Sequence, residues 1–297
     1  VSSLIHVDDE VRDALSEGRP VVALETTLVA HGFPHPDGVD IGLESERRVR
    51  TEGAVPATIG VLDGRIRVGL APDELARFTP EARKLGPRDL AACAVQRVVG
   101  ATTVGGTLAV AAAVGIRFMG TGGLGGVHRG FPSPPDVSAD LAQLARSQAV
   151  VACSGVKSLL DVPATAELLE TLGVPVLGYQ TATMPLFYAD AGGPPVSARV
   201  ESALEAAQCA RAHWTLGGAS LLLANPPADP IDVEPLVEEA VVTAARAGVR
   251  GQDVTPFVLS FLHERSGGRT RAVNRRLIAD NAGLAAAVAV AHAGAVS

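Results

Sequence analysis

Val150-Val151-Ala152-Cys153-Ser154-Gly155-Val156-Lys157 is an unbroken apolar run that ends in a Ser-Gly turn and a lysine. Alternating polarity marks a strand with one wet face, whereas a continuous apolar run marks a strand covered on both faces. Ala149–Cys153 therefore predicts a buried strand with helices above and below it. The same pattern recurs at Val21–Leu24, Thr58–Leu62, Arg65–Leu70, Arg117–Met119, Val174–Gly178 and Ser220–Ala224. Helical patterns separate these runs at Val7–Ser16, Asp40–Glu52, Pro87–Val98, Thr107–Val114, Ser138–Arg146, Pro163–Leu172, Ser202–His213, Val233–Ala247, Pro256–Arg265 and Arg271–Ala291. The alternation predicts an α/β protein in three layers, helix–sheet–helix. Asp63-Gly64 between two β-type runs is a hairpin signal, so the central sheet is expected to be mixed. The Pro/Gly-rich stretches at Gly32–Gly38, Gly120–Pro135 and Ala191–Val196 read as loops rather than linkers. One domain over residues 1–297 is expected.

Bulk composition narrows the function. A formal charge of −7 and 47% hydrophobic residues leave no basic face for a nucleic-acid backbone. Aromatic residues make up only 3%, too few for a base-stacking platform. The longest apolar stretches, Thr107–Gly115 and Gly283–Ala291, are too short to span a bilayer, and Val1–Glu10 has no signal-peptide pattern. Cys93, Cys153 and Cys209 are widely spaced and odd in number, which fits buried thiols in a reducing cytoplasm. Of 25 basic residues only two are lysine, Lys84 and Lys157. Arginine is never a free amine. Lysine can lose its proton, attack a carbonyl and form a Schiff base, or serve as a point charge for phosphate.

Ligands of open α/β sheets bind beyond the carboxyl ends of the strands, and the unusual segments fall there. Val21-Val-Ala-Leu-Glu25-Thr26-Thr27 runs an apolar strand into a carboxylate. Glu25 reads either as a half-buried proton-transfer group or as a helix cap. Gly100-Ala-Thr102-Thr103-Val104-Gly-Gly106-Thr107 offers hydroxyls and helix-terminal N–H groups to an anion, or simply close helix packing. Thr121-Gly-Gly-Leu-Gly-Gly126-Val-His128-Arg129 permits close backbone approach to a ligand, with His128 and Arg129 as phosphate donors. It is neither a Walker A loop nor a dinucleotide fingerprint. Asp136-Val-Ser138-Ala139-Asp140 suits a hydrated divalent cation or a helix cap, and on spacing alone capping is favoured. Lys157 is placed at a helix start between apolar Val156 and Leu159, where the ammonium form is disfavoured and imine chemistry is favoured. Lys84, before a proline-started helix, reads as a phosphate contact. His31 and His35 share an i,i+4 spacing, but Pro34 and Pro36 break any helix that would align them for a metal. Asn274 reads as a polar position in a helix, with ligand recognition as the alternative.

Taken together the segments resemble the pseudouridine-5′-phosphate glycosidase family, also called indigoidine synthase A-like. The resemblance is carried by Ala23-Leu-Glu-Thr-Thr-Leu-Val-Ala-His-Gly32, Ala101-Thr-Thr-Val104, Thr121 to Gly130, Asp136 to Asp140, Cys153-Ser-Gly-Val-Lys157, Gly173 to Thr181 and Ala224-Asn-Pro226. It implies reversible cleavage of pseudouridine 5′-phosphate to uracil and ribose 5-phosphate, a manganese ion and a cytoplasmic homotrimer. On the resemblance, Lys157 forms the imine with ring-opened ribose and Glu25 moves protons. Lys84, Val104 and Ser138, Ala139 and Asp140 match substrate contacts, and Asp136 matches the metal position. Thr121 and His128 join the phosphate site and Asn274 the uracil edge. The chain departs from the family pattern at Gly105-Gly106-Thr107. A Schiff-base aldolase and a non-catalytic sugar-phosphate sensor are the competing readings of the same lysine.

Overall fold

In the computed structural model, which describes residues 4–129, 136–157, 159–249 and 254–294, Val150–Cys153 is a central strand whose alternate residues enter different cores. Gly130–Pro135 of the long glycine loop and Ser158 lie outside the described residues. In chain order the strands are β1 (Ile5–Val7), β2 (Val21–Glu25), β3 (Val55–Leu62), β4 (Arg65–Val68), β5 (Arg83–Leu85), β6 (Gly100–Thr102), β7 (Phe118–Gly120), β8 (Val127–His128), β9 (Val150–Cys153), β10 (Leu160–Asp161), β11 (Val176–Tyr179), β12 (Ala198–Val200) and β13 (Leu221–Ala224). The helices are α1 (Asp9–Ser16), α2 (Thr27–His31), α3 (Asp37–Thr51), α4 (Pro72–Leu75), α5 (Leu90–Val95), α6 (Val104–Val114), α7 (Ala139–Leu144), α8 (Val162–Thr171), α9 (Ala203–Thr215), α10 (Glu234–Arg246), α11 (Val254–Arg265) and α12 (Arg269–Gly294).

The sheet runs β1-β4-β3-β2-β7-β9-β13-β11-β12, with β6 also on β3 and β5 on β6. Its middle, from β3 through β12, is parallel, while the β3–β4 hairpin and the β3–β6 pair are antiparallel. The expected mixed sheet is present, and Asp63 (φ 54°) and Gly64 (φ 81°) form the hairpin turn. Val22, Leu24, Phe118, Val150, Ala152, Leu221 and Leu223 pack on one face against α3, α9 and α12. Val21, Ala23, Met119, Val151, Cys153, Leu222 and Ala224 share the other core with Val104, Leu108, Leu141 and Leu144 of α6 and α7. Continuous apolar strands thus supply both cores at once.

Helix α12 is 26 residues long and apolar enough to cross a membrane, although the sequence patterns put the apolar stretches too short. Of its most apolar stretch, 61% is buried inside the fold, and it packs on β2, β7 and β9. Its alanines and Gly120 allow a close approach. A Cβ on Gly120 would stand 2.6 Å from Ala282 Cα and 3.0 Å from its backbone nitrogen. Overpacking costs about 1–3 kcal/mol, and backbone cannot step aside as a side-chain tip can. Gly120→Val is therefore expected at the upper end of that range, read as a lower denaturant midpoint at unchanged slope.

The short strands β1, β5, β6 and β12 carry three residues each, too few to show a period. The helix expected over Pro87–Val98 is a 3₁₀ turn at Pro87–Asp89 followed by α5, and it ends before Arg97 turns left-handed (φ 58°).

Candidate active site

Strands β2, β7 and β9 are parallel neighbours, so their carboxyl ends share one edge. From β2 the chain proceeds outward to β3, whereas β7 continues through β9 and β13 in the other direction. This reversal opens the crevice where α/β sheets hold ligands. Glu25 ends β2, Thr121 follows β7, and the turn after β9 leads to Lys157.

Register fixes the first contact. Leu24 pairs with Gly120, so Glu25 and Thr121 come side by side, and the Thr121 hydroxyl donates to Glu25 Oε1. Glu25 is only 5% exposed. Burial pushes its carboxyl above the ordinary 4.5 and nearby Asp140 acts the same way, while Lys157, the Thr121 hydrogen bond and Lys84 oppose them. Both lysines therefore lie within electrostatic reach of Glu25.

The glycine loop and the lysine turn are zipped together through their backbones. Ser154 N–H donates to Gly122 O (2.9 Å), Leu124 N–H to Gly155 O (2.9 Å) and Lys157 N–H to Leu124 O (3.2 Å). Gly155 has φ 77°, and a Cβ there would meet Pro185 O at 2.0 Å, so only glycine fits this turn. The helix expected to start at Lys157 is absent. Lys157 lies in a loop before β10, and α8 begins at Val162, capped by the Asp161 carboxylate. Lys157 therefore faces no helix N-terminus that would disfavour its ammonium form. What remains is a half-buried lysine beside a buried carboxylate.

Glu25, Lys84, Thr121, Lys157 and Asn274 line one cavity of about 490 Å³, open mouth included. Lys84 arrives on β5, a strand that pairs with β6 through Lys84 and Ala101. Asn274 comes from α12, is 3% exposed, and its Oδ1 is buried with no hydrogen-bond partner. An orphan carbonyl oxygen of this kind costs free energy until a ligand donor reaches it. Of the wall residues left unassigned by sequence reasoning, His31 and Phe187 stand out. His31 reaches the cavity because α2 starts directly after the strand end; its Nε2 is buried without a partner. Burial and then Lys84 hold its imidazole below the ordinary 6.5, against a backbone hydrogen bond with Ala82. Phe187 lines the cavity with φ 65°, a conformation that a bulky residue adopts only when its surroundings impose it. The signal for His31 was its distance from Glu25; Phe187 left none in the sequence.

The other expected site residues stand behind this wall. Asp140 is 5% exposed and both its oxygens are engaged, Oδ1 by Gly105 N–H (2.7 Å) and Oδ2 by Gly125 N–H (3.1 Å). Together with the Thr103 cap on Gly106 N–H (3.2 Å), it fills amides that the sequence offered to an anion. Ser138 caps α7 through Asp140 N–H (3.2 Å), Ala139 is the exposed first residue of that helix, and Val104 is buried at the start of α6. His128 lies on β8 with its Nδ1 3.8 Å from Asp136 Oδ2. Its imidazole is held below 6.5 by burial, against Asp136 and with Lys84 and Lys157 acting in the same sense as burial.

Among the described residues, no three His, Cys, Asp or Glu side chains gather in metal-binding range. The described residues therefore offer no closed protein cage. The part-exposed carboxylate of Asp136 fits a hard divalent ion that keeps most of its waters. Cys153 is not a rival nucleophile to Lys157, because it is buried and its thiol is pushed up to about 12 by burial.

A model of the family described as indigoidine synthase A like protein matches residues 10–291. The chain belongs to the indigoidine synthase A-like family. It is 48% identical over 293 residues to a pseudouridine-5′-phosphate glycosidase of Streptomyces griseus, covering 96% of this chain and 91% of the relative. The protein of the same name from Herpetosiphon aurantiacus is 45% identical over 290 residues, covering 95% and 96%. Among solved structures, the prealnumycin C-glycosynthase AlnA in complex with ribulose 5-phosphate superimposes with a TM-score of 0.90 at 35% identity, covering 100% of this chain and 99% of that one. An indigoidine synthase A-like protein of Thermotoga maritima gives 0.87 at 35% identity, covering 97% and 96%. The family expected from the motifs and its fold are thereby established.

Proposed function

We propose that this chain cleaves the C–C glycosidic bond of pseudouridine 5′-phosphate reversibly, giving uracil and ribose 5-phosphate through a Schiff base on Lys157. The observation that carries the reading is the convergence of a lysine and a buried carboxylate on one cavity at adjacent parallel strand ends. Relatives at 40–48% identity bear the glycosidase name, and a structural neighbour is a C-glycosynthase with a bound pentulose phosphate.

A C–C bond lacks a heteroatom leaving group, so water alone does not displace the base. The uracil π electrons push open the C1′–O4′ bond as a proton passes from Glu25 to O4′, and the Lys157 amine then adds to C1′, forming a C1′–N bond and returning a proton to Glu25. The nitrogen lone pair then forms C=N as the C1′–C5 electron pair leaves with uracil and a proton lands on C5. Water hydrolyses the imine, releasing ribose 5-phosphate and restoring the amine. Glu25, whose burial raises its pKa and so favours the protonated carboxyl, serves O4′ and C5 in turn. Thr121 orients that carboxyl. Lys84, with His128 behind it, attracts the phosphate, and the Asn274 carbonyl accepts from a uracil N–H. Asp136 would hold the manganese ion, which supplies positive charge to an adjacent anion when bound. The same reading assigns a homotrimer in the cytoplasm, which sedimentation and fractionation test.

The deciding assay runs backward: uracil and ribose 5-phosphate are mixed with enzyme and manganese. The expected product is pseudouridine 5′-phosphate, formed only when uracil is present. Ribose 5-phosphate bound to Lys157 without any uracil-dependent product would transfer the chain to the Schiff-base aldolase reading.

A further inference from the structure

Asn281 lies on α12, two helical turns beyond Asn274, and is fully buried. Its Nδ2 donates to Thr121 O (2.8 Å), Gly122 O (3.3 Å) and Ser154 Oγ (3.1 Å). Its Oδ1 accepts from Asn225 Nδ2 (2.9 Å), just beyond the end of β13. One amide thus grips the ends of β7, β9 and β13 on the carboxyl edge of the sheet.

Those grips coincide with the attachment points of the proposed chemistry. Thr121, held through its carbonyl, orients the Glu25 carboxyl through its hydroxyl. Ser154 begins the turn that delivers Lys157. Gly122 is bonded to Ser154 N–H as well, so the amide and the backbone clamp the same two loops. Nothing else about Asn281 explains a polar side chain there. Its neighbours Ala282, Ala285 and Ala286 are fully buried in an apolar layer, where alanine would serve packing. Two amide hydrogens shared among three acceptors fix the spacing between the glycine loop and the lysine turn.

We infer that Asn281 is a positioning residue: it sets the separation of the Glu25 carboxyl from the Lys157 amine by pinning Thr121, Gly122 and Ser154 with one side-chain amide. The inference rests on the imine reading above. Asn281 does not line the cavity, so it acts on the reacting geometry and leaves the phosphate contacts in place. Misplacement by about 1 Å costs on the order of 10²-fold in rate.

The experiment compares Asn281→Ser with Asn225→Ala, which removes only the acceptor-side partner. Each is tested for melting temperature, kcat, KM for ribose 5-phosphate and the rate of borohydride trapping at Lys157. Both should melt lower. Asn281→Ser should lose about 10²-fold in kcat, and trap more slowly in proportion, with KM changed less than about threefold. Asn225→Ala should keep kcat near that of the parent. Asn281→Asp, isosteric but poor in donors, should behave as the serine variant and decides the matter if serine prevents folding. If the Asn281 variants trap at the parental rate per folded molecule, or if both sites lose kcat alike, Asn281 is a structural residue only. Failure of the parent protein to trap ribose 5-phosphate overturns the imine reading instead.

Discussion

Lys157→Arg is expected to fold normally and to lose at least about 10⁴-fold in kcat, the scale seen when a covalent nucleophile is removed. Arginine keeps the positive charge and nearly the length. It does not supply a free amine at any accessible pH. The substitution therefore separates the electrostatic contribution of Lys157 to Glu25 from its proposed covalent one. Folding should survive because the turn is held by the backbone bonds from Lys157 N–H to Leu124 O and from Leu124 N–H to Gly155 O, which need no lysine side chain. Mass spectrometry after borohydride reduction with ribose 5-phosphate gives the covalent readout. The parent should gain one reduced sugar phosphate on the peptide containing Lys157, and the arginine variant should gain none. An arginine variant within tenfold of the parent rate would end the Schiff-base reading.

Glu25→Gln should lose about 10²–10⁴-fold in kcat, the usual contribution of a positioned proton-transfer group, while the protein becomes more stable. The two effects share one cause. Burial raises the Glu25 pKa above 4.5, so the folded protein binds a proton that the unfolded chain releases in the interval between 4.5 and the raised value. Stability contributed by the protonated carboxyl is complete below 4.5 and is lost as pH rises through the folded pKa. Glutamine keeps the hydrogen-bond acceptor for Thr121 and has no charge to desolvate. The variant and the parent should therefore melt alike below pH 4.5 and diverge above it, with the variant higher. Melting curves across that range, paired with kcat against pH, test both halves. A variant less stable than the parent at neutral pH would show that the charged carboxylate is well compensated in the fold.

The legible part of this protein was the part written in long patterns. Continuous apolar runs mark the two-sided strands, and the carboxyl-end rule puts Glu25, Thr121 and Lys157 at one edge from sequence alone. Lys84 stood out by residue type, yet its strand is three residues long and shows no period, so its place in the sheet was invisible. The supposed helix start at Lys157 failed because Ser154-Gly155 serves a left-handed turn zipped to a loop some thirty residues earlier, a pairing that local sequence does not encode. Asp140 followed the same logic. Next to Ser138 it resembled a cap or a ligand, and its actual partners, Gly105 and Gly125, lie on other segments. Phe187 and Asn281 gain their meaning only from what the fold places beside them.

Helix α12 closes the described chain and fills the gap over β2, β7 and β9. Protein synthesis delivers those strands long before it delivers their cover, and it delivers Asn274 and Asn281 after all of them. A nascent chain stopped short of Arg269 would present bare apolar strand faces and a crevice without its far wall. Activity in this architecture should consequently appear in one step once α12 has left the ribosome. Truncated products should be prey for chaperones and proteases, with no partial enzyme among them.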